Sequence, residues 1–434
     1  MRTCVVGLGK IGLPLALQIC SRGHDVIGAD IDQRVVDAVN AGNAPFPGEP
    51  ELDERLRAAV TGGRLEASTD TTAAVAASDA VVVVVPLVIG DDLAPVFDAL
   101  DAATAAVAAG LRPGTLVSYE TTLPVGTTRG RFAPVLEATR GLTVGEDLFV
   151  CFSPERVSSG RVFRDLRTYP KLVGGLDEVS GARAAEFYDQ ILEFDERSDL
   201  ARPNGVWDVG TAEAAELVKL AETTYRDVNI ALANEFAVHA DQIGVDVYAV
   251  IEAANSQPFS HIHRPGIAVG GHCIPVYPHL YLSTHAGAEM PSASRRVNDG
   301  MPAYAVEMLA DLHGGLEGAC VVVLGAAYRG GVKETAFSGV FASVLELERR
   351  GAAPVVHDPM YDDAELEAIG FRPHHLGEPC DAGILQADHV SYQDLSAADL
   401  PGIRSLVDGR NTLDLGRWAR DGVAVGRIGA PAPV

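Results

Sequence analysis

The sequence predicts an α/β protein in which two doubly wound parallel sheets are joined by a long helical region. A short apolar run at residues 3–6 ends in a glycine-rich turn, as a buried parallel strand does where it leads into a helix. The same strand-then-glycine pattern returns at residues 319–325. Between them lies a region that lacks strand signals and contains one helical stretch over residues 211–243. We therefore expect an α/β domain at each end of the chain and a helical connector between them.

The predicted domains cover residues 1–203, 204–312 and 313–434. The unbroken run Val81–Val85 is typical of a strand that is buried on both faces. Thr211 is predicted to cap the long helix and Gly244 to end it. The predicted elements are strands at 3–6, 26–30, 81–85, 114–119, 148–152, 319–324 and 353–358 and helices at 11–22, 211–243 and 246–255.

Composition narrows the class of protein. A net charge of -25 over 434 residues argues against a nucleic-acid or anionic-membrane surface. The six cysteines are scattered without metal spacing, and Cys4, Cys151 and Cys320 lie in apolar runs that indicate buried thiols. No secretory signal precedes the first strand, and the most apolar window is interrupted by Asp79 and Pro86. We expect a cytoplasmic protein with reduced thiols and with no membrane or nucleic-acid partner.

The first glycine-rich turn fits the dinucleotide-binding fingerprint of a Rossmann-like domain. Gly7-Leu8-Gly9-Lys10-Ile11-Gly12 follows a predicted strand and opens a predicted helix, and Asp30 ends the next strand. An acid at that position binds the ribose hydroxyls and favours NAD over NADP, although Arg34 lies close enough to keep NADP open. The alternative is a glycine-rich turn without a ligand. The cofactor-binding candidates here are Gly7, Gly9, Lys10, Ile11, Gly12, Asp30 and Arg34.

One face of the predicted long helix is polar. Its side chains recur at spacings of three and four and are Glu216, Lys219, Thr223, Arg226 and Asn229. A solvated stripe with a Glu222–Arg226 surface pair is the plain alternative. Lysine is rare in this chain, so its presence on this face favours a functional role for the face over a solvated stripe. The opposite face is expected to pack in the core through Leu217, Leu220, Val228 and Leu232.

Gly270-Gly271-His272-Cys273-Ile274-Pro275 places a thiol between a glycine pair and a proline. Such a setting suggests a nucleophile held on tight backbone, and with a dinucleotide site it suggests oxidation past the aldehyde through a thioester. The alternative is a buried structural thiol. His261 and His263 lie nearby in the sequence, where they contact phosphate or substrate or simply sit in a loop, but no spacing indicates zinc, so no metal is predicted.

Several long motifs together resemble the UDP-glucose/GDP-mannose dehydrogenase family over nearly the whole chain and in the family's order. They are Glu120-Thr121-Thr122-Leu123-Pro124, Ser153-Pro154-Glu155-Arg156, Glu216 to Glu222, Arg226 to Glu235, Gly270 to Pro275 and Val407-Asp408-Gly409-Arg410-Asn411. The resemblance implies a four-electron oxidation in which the C6 alcohol of a nucleotide sugar becomes a carboxylate and two NAD+ are reduced. It also implies a homodimer formed through the central helix.

The resemblance also implies roles for individual residues. Cys273 would capture the aldehyde as a thiohemiacetal and carry the thioester that water hydrolyses. Lys219 would stabilise oxyanions, and Glu155 would act as general base or orient the water. Pro86, Thr122 and Glu155 would lie at the cofactor. The implied substrate-binding residues are Arg226, Asn229, Arg264, Gly270, Gly271, Tyr328, Arg329 and Arg410. Arg264 would meet substrate phosphate either within its own subunit or across a subunit boundary.

The chain departs from the family pattern at four places. One is Val85-Pro86-Leu87-Val88, where the family usually has Val-Pro-Thr-Pro, and the other three are single residues. Thr223 replaces an asparagine four residues after the lysine, and its hydroxyl could still hold a water; Tyr277 replaces an aspartate four residues after the cysteine; Ala336 replaces an arginine. These changes leave open a divergent enzyme, an enzyme that stops or stalls part-way, and a non-catalytic protein that binds NAD and a nucleotide sugar.

The substrate is less sharply indicated than the chemistry. The segment Ser153-Pro154-Glu155-Arg156-Val157 is more similar to the UDP-N-acetylmannosamine branch of the family than to the UDP-glucose branch. We therefore expect a UDP-linked, N-acetylated hexosamine as the substrate, with GDP-mannose as the alternative.

Overall fold

The computed structural model describes residues 1–158 and 160–431, which divide into two compact units, Met1–Ala221 and Glu222–Val434. The first unit is built on one large sheet. Its strands are β1 Arg2–Val6, β2 Asp25–Ala29, β3 Leu65–Ser68, β4 Ala80–Val83, β7 Thr115–Tyr119, β8 Leu148–Phe152, β9 Lys171–Gly175 and β10 Val206–Thr211, and a separate hairpin pairs β5 Val88–Ile89 with β6 Pro95–Val96.

Helices connect these strands, as apolar parallel strands require. They are α1 Gly12–Ser21, α2 Gln33–Asn40, α3 Leu52–Thr61, α4 Thr71–Ala76, α5 Asp98–Gly110, α6 Ala133–Arg140, α7 Val162–Thr168 and α8 Glu178–Ile191, with one turn of π-helix at Thr128–Phe132. Helix α1 is buried along its length, and it packs with α3, α7 and α8 around the side chains of one face of the sheet.

The sheet order is β10-β9-β8-β7-β4-β1-β2-β3. All neighbours are parallel except β8 and β9, which pair antiparallel through Cys151 with Gly175 and Phe152 with Gly174. The doubly wound α/β class predicted from the sequence is thus confirmed, with two strands running opposite to the others at one edge. The expectation that the middle region, residues 204–312, lacks strands was wrong, because β10 lies there and pairs with β9.

Helix α9, Ala212–Ile243, begins in the first unit and ends in the second. The Thr211 hydroxyl accepts the Ala214 N–H at 3.1 Å, and Gly244 has a φ of +69°, so the predicted cap and stop are both present. The remaining helices are α10 Val247–Asn255, α11 Tyr277–Thr284, α12 Glu289–His313, α13 Gly339–Arg349, α14 Asp363–Ile369 and α15 Leu415–Arg420, with 3-10 turns at Val390–Tyr392 and Ala397–Asp399.

The second unit contains a five-stranded, fully parallel sheet in the order β12-β11-β13-β14-β15. Its strands are β11 Cys320–Leu324, β12 Ala353–His357, β13 Ala382–Leu385, β14 Ser405–Asp408 and β15 Ala424–Arg427. Helices α12 and α13 cover one face, and Trp418 of α15 is buried against the other. Within the described residues, no helix combines the length and the apolar character needed to cross a membrane.

The three-domain division is not the division of the structure into compact units, and its boundaries stay a prediction. Cys4 and Cys151 are buried as expected, whereas Cys320 is partly exposed at the first position of β11, where the strand leaves the core.

Candidate active site

The fingerprint turn has the geometry that its three glycines predict. Gly7 has a φ of +95°, which a side chain would strain. A Cβ on Gly12 would lie 1.9 Å from the Gly7 carbonyl oxygen, so only glycine lets α1 begin this close to β1. A side chain at Gly9 would approach none of the described residues within 4 Å apart from its neighbours in the chain. The backbone there is therefore accessible to a phosphate at the helix N-terminus.

Asp30 follows β2 and is fixed by backbone. Its Oδ2 accepts the Leu8 N–H at 2.8 Å and its Oδ1 accepts the Asp32 N–H at 3.0 Å, which leaves a lone pair on each oxygen for ribose hydroxyls. The exposed Arg34 guanidinium donates to Asp32, at 2.7 Å from Nη2 to Oδ2. Arg34 is therefore paired with the acid of the α2 cap, and Asp30 is the acid at the end of β2, where the fingerprint expects one.

The other cofactor candidates differ in exposure. Lys10 and Pro86 are exposed, Ile11 is half-buried at the start of α1, and Thr122 is buried just after β7.

Glu155 and Lys219 are brought together in the first unit. The Lys219 Nζ donates to the Glu155 main-chain oxygen at 2.5 Å, and the Glu155 N–H donates to the Glu120 carbonyl at 3.3 Å. The Glu155 side chain accepts the Arg156 N–H at 2.6 Å. Two of the predicted catalytic residues are thus joined by a direct hydrogen bond.

Sequence reasoning missed Lys171, the first residue of β9. Its ammonium is buried and donates to Glu120 Oε2 at 2.8 Å and to Glu155 Oε2 at 3.4 Å. The Tyr188 hydroxyl donates to the other Glu120 oxygen at 2.6 Å. The available signal was the rarity of lysine, since Lys171 is one of four in the chain.

Burial and charge act in opposite directions in this cluster. Burial raises the pKa of Glu120 to about 7, against the attraction of Lys171. Burial also disfavours ionised Glu155, but the charge of Lys171, hydrogen bonds with Glu120 and the Arg156 N–H, and the charge of Lys219 together hold the pKa of Glu155 below its usual value. Burial disfavours the Lys171 ammonium as well, yet the two carboxylates hold its pKa above the ordinary value. The pKa of Glu155 is thus lowered and that of Glu120 is raised, so Glu155 is the more acidic member of the carboxyl pair.

The polar face of α9 is not a solvated stripe. Glu216 is completely buried and Thr223 is 7% exposed. The leucine face was expected to pack in the core, and this was wrong for two of its members, since Leu217 is 43% and Leu232 44% exposed. The helix therefore turns polar groups inward and part of its apolar surface outward.

Cys273 lies in the second unit, at the turn that leads into α11. It is exposed, and its Sγ lies 3.7 Å from the Tyr277 hydroxyl, one helical turn later. Its carbonyl oxygen accepts the Tyr277 N–H at 2.9 Å, which closes that turn. The residue that replaces the family's usual aspartate is thus in contact with the sulfur.

The glycine pair before Cys273 is packed against a second loop. A Cβ on Gly270 would lie 2.5 Å from Tyr328 Cβ, and the Gly271 N–H donates to the Ala336 carbonyl at 2.8 Å. His272 Nε2 lies 3.3 Å from a Glu334 carboxylate oxygen. The structure therefore brings Gly270 and Gly271 of one loop together with Tyr328 of another.

Arg410 links these loops to each other through its guanidinium. Its guanidinium donates to the carbonyls of Gln386 at 2.6 Å, Ala268 at 3.1 Å and Tyr328 at 3.2 Å, and to Gln386 Oε1 at 3.1 Å. Burial lowers the pKa of this guanidinium. Most of its N–H donors thus form hydrogen bonds within the protein, and these bonds link three loops. The exposed arginines among the substrate candidates are Arg226, Arg264 and Arg329.

Asn229 also binds a loop. Its side chain donates to the His261 carbonyl at 2.6 Å and accepts the His263 N–H at 3.0 Å. One turn and a half later, Asn234 accepts the Gly266 N–H at 2.9 Å. These amides hold the segment that carries Arg264 against α9. In the part of the chain that the structure describes, no group of three or more His, Cys, Asp or Glu side chains is arranged to hold a metal ion.

Comparison with known proteins agrees with this geometry. Residues 1–192 match the NAD binding domain of the UDP-glucose/GDP-mannose dehydrogenase family, and residues 213–299 match its central domain. The chain is 36% identical to a UDP-N-acetyl-D-mannosamine dehydrogenase from Pyrococcus horikoshii, over 95% of this chain and 96% of that one. It is 37% identical to an NDP-N-acetyl-D-galactosaminuronic acid dehydrogenase from Ralstonia nicotianae, over 70% of each chain.

Two solved structures are similar over the whole chain. A UDP-D-ManNAc dehydrogenase from Pyrococcus horikoshii superposes with a TM-score of 0.86 at 33% identity and covers 99% of both chains. A UDP-glucose dehydrogenase from Pyrobaculum islandicum superposes with a TM-score of 0.84 at 29% identity, covering 99% of this chain and 98% of that one. From the fingerprint turn, the motif-bearing loops and these matches along its length, the chain belongs to the UDP-glucose/GDP-mannose dehydrogenase family.

Proposed function

We propose that this protein oxidises the C6 alcohol of a UDP-linked, N-acetylated hexosamine to a uronic acid, with NAD+ as the oxidant. The observation that carries the proposal is Cys273, an exposed thiol in contact with Tyr277 on a loop fixed by Gly270 and Gly271. A thiol placed on such fixed backbone suits a nucleophile better than a core residue.

The fingerprint turn and Asp30 fit NAD. The space at Gly9 suits a pyrophosphate, and Asp30 is held by Leu8 with its outer lone pairs available to ribose hydroxyls. When bound, NAD+ supplies the capacity to accept hydride. The proposed contacts along the rest of the cofactor are Thr122, Pro86 and Glu155.

Cys273 is the proposed covalent catalyst. Its thiolate adds to the carbonyl carbon of the intermediate aldehyde, and the resulting thiohemiacetal is oxidised to a thioester. Water then cleaves the thioester, which releases the carboxylate and returns the thiol. Lys219 supplies fixed positive charge for the oxyanions, Glu155 serves as the base that activates water, and the Thr223 hydroxyl holds that water.

The sugar is inferred from the relatives. Two of the relatives described above carry names with an N-acetylated hexosamine or its uronic acid linked to a nucleotide, one of them with UDP. The proposed substrate cradle comprises the Gly270-Gly271 backbone, Tyr328, Arg329, Arg226, Asn229, Arg264 and Arg410. Arg410 and Asn229 contribute mainly by holding loops, as their hydrogen bonds indicate.

The test is a count of NADH released per sugar consumed by purified protein, over a panel of UDP- and GDP-linked hexoses and N-acetylhexosamines. We expect about two NADH per sugar on a UDP-N-acetylhexosamine, since four electrons leave the substrate. Cys273→Ser should lose at least half of this yield, and Cys380→Ser, at a buried thiol, is the matched control. One NADH per sugar, or an unchanged Cys273→Ser, would contradict the covalent route.

A non-catalytic NAD- and nucleotide-sugar-binding protein is the second candidate, and the aspartate-to-tyrosine change beside Cys273 favours it. Intact-protein mass spectrometry after mixing with substrate and NAD+ separates the two. A lasting adduct on Cys273 indicates a stalled thioester, whereas NAD binding without adduct or NADH indicates the binding protein.

A further inference from the structure

Lys171 and Glu120 are buried charged groups to which the proposed mechanism gives no part, and Lys171 contacts Glu155, the proposed base. The Lys171 side chain is 5% exposed, that of Glu120 is fully buried, and that of Glu155 is 13% exposed. One ammonium thus lies between two carboxyl groups in the interior of the first unit. A buried ion pair is costly to desolvate and is weak evidence for stability alone, so a further role is worth testing.

We propose that Lys171 and Glu120 are positioning residues that keep the Glu155 carboxylate ionised and fixed in place, while Glu120 holds the proton that the two carboxyl groups share. The inference rests on the proposed function for its catalytic meaning, since Glu155 is the proposed base. The charge arrangement itself can be tested without turnover.

Both carboxyl oxygens of Glu120 accept a hydrogen bond, which fixes the orientation of the carboxyl group beside Lys171. Its Oε2 accepts from Lys171 at 2.8 Å, and its Oε1 accepts from the Tyr188 hydroxyl at 2.6 Å. Because Tyr188 spends its only hydrogen on Glu120, the Ser118 hydroxyl, 2.7 Å away, donates to Tyr188. Ser118 therefore donates to Tyr188 and Tyr188 donates to Glu120, which also accepts from the Lys171 ammonium.

Two lysines donate to different atoms of Glu155. Lys219 binds its main-chain oxygen at 2.5 Å, whereas Lys171 binds its carboxylate at 3.4 Å. The Glu120 and Glu155 carboxyl groups lie within hydrogen-bonding reach of each other, so a protonated Glu120 can donate to the Glu155 carboxylate. The Lys171–Glu120 pair thus positions the carboxylate of the proposed base, and Lys219 positions its main chain.

The charges around the pair are consistent with one shared proton. The titratable and charged groups around Glu155 and Glu120 are Cys151, Arg156, Asp165, Tyr169, Lys171, Tyr188 and Lys219. Without Lys171, burial would raise the pKa of Glu155, because desolvation disfavours the charged form. A base that is protonated at neutral pH cannot accept a proton from water.

The experiment compares Lys171→Met, Lys171→Arg and Glu120→Gln with the wild type, in the pH profile of kcat/KM and in infrared titrations of the full-length protein without substrate. Lys171→Met should move the acid limb of the profile upward by about one to three pH units, the effect of removing one adjacent opposite charge. Lys171→Arg keeps the charge and should return most of that shift.

The infrared readout follows the C=O stretch of a protonated carboxylic acid. In the wild type, one buried acid band should disappear as the pH rises through about 7, and Glu120→Gln should lack it. In Lys171→Met, an acid band that Glu155→Gln removes should persist to higher pH. Arg131→Met, which breaks the exposed Arg131–Asp101 pair in the same unit, should change neither readout.

Two results would overturn the inference: a Lys171→Met profile that loses amplitude with no shift of its acid limb, or a wild-type band near pH 7 that survives in Glu120→Gln. If Lys171→Met does not fold, the Glu120→Gln band and the Lys171→Arg profile decide the question. If the wild type releases no NADH, the proposed function fails, but the infrared titrations still support or refute the shared proton.

Discussion

Tyr277 gives Cys273 a neutral neighbour where the family usually has an acid. Its hydroxyl lies 3.7 Å from the sulfur and can donate to a thiolate, whereas a carboxylate at the same point would repel it. At the scale of single residues, the replacement therefore places a hydrogen-bonding hydroxyl instead of a carboxylate beside the sulfur and removes a candidate proton acceptor from its side.

Tyr277→Phe should slow the alkylation of Cys273 by iodoacetamide at neutral pH by about three- to tenfold, because the thiolate loses one hydrogen-bond donor. Peptide mass spectrometry reads the modification at each cysteine. Cys273 is the exposed thiol of the six, and Cys273→Ser gives the background from partly exposed Cys320. Equal or faster alkylation of Tyr277→Phe would show that the hydroxyl does not stabilise the thiolate.

Residues in local motifs could be predicted from the sequence, whereas distant pairs could not. Gly7, Gly12 and Asp30 follow from fixed spacing between a strand, a turn and a helix. Lys171 meets Glu120 across 51 residues, a distance in the chain that no spacing rule covers. Such contacts depend on which strands become neighbours, and a single sequence does not state that order.

At the scale of elements, α9 organises loops through its buried acids and amides. The Glu216 carboxylate accepts the N–H groups of Gly126 at 2.5 Å and Thr128 at 2.9 Å, and the Thr128 hydroxyl at 2.6 Å. This carboxylate therefore satisfies the first donors of the π-helical turn at Thr128–Phe132. The motif containing Glu216 thus has a structural role at its first residue.

Glu216→Ala should lower the free energy of unfolding by about 2–3 kcal/mol, since it leaves three buried donors without their acceptor. Chemical denaturation followed by circular dichroism measures the change. Glu213→Ala removes a partly exposed partner of Arg129 on the same helix and should cost well under about 1 kcal/mol. A Glu216→Ala protein as stable as the Glu213→Ala control would refute the capping role.

Strands and helices with strong apolar patterns were located to within one or two residues, as β4, β8 and α9 illustrate. β10 was missed because its apolar residues, Val206, Trp207 and Val209, neither alternate strictly with polar ones nor form an unbroken run, and the strand is half exposed at the sheet edge. The antiparallel pairing of β8 with β9 was equally hidden, since it depends on the direction in which the chain returns to the sheet.

At the scale of the whole molecule, the outward apolar residues of α9 agree with the homodimer that the family resemblance implies. Leu232 is 44% and Phe236 39% exposed, one helical turn apart, and Tyr225 is 61% exposed. Large apolar side chains repeated along one helix are typical of a subunit interface.

Leu232→Glu with Phe236→Glu should convert a dimer into a monomer, because two charges would enter an apolar contact. Sedimentation equilibrium of the wild type and the variant measures the mass of each. Val179→Glu, at a 49% exposed position on α8, is the matched surface control and should leave the mass unchanged. A wild type that sediments as a monomer would remove the dimer from the proposal.

Arg410 has a consequence for how tightly a ligand can be held. The main chain at residues 268, 328 and 386 is tied together by one guanidinium in the folded protein itself. A ligand that docks on these loops therefore meets a surface that is already ordered, and it does not lose affinity to the entropy of arranging them. Preorganisation of this kind should appear as slow amide hydrogen exchange in the loops before any nucleotide is added, with little further slowing after it binds.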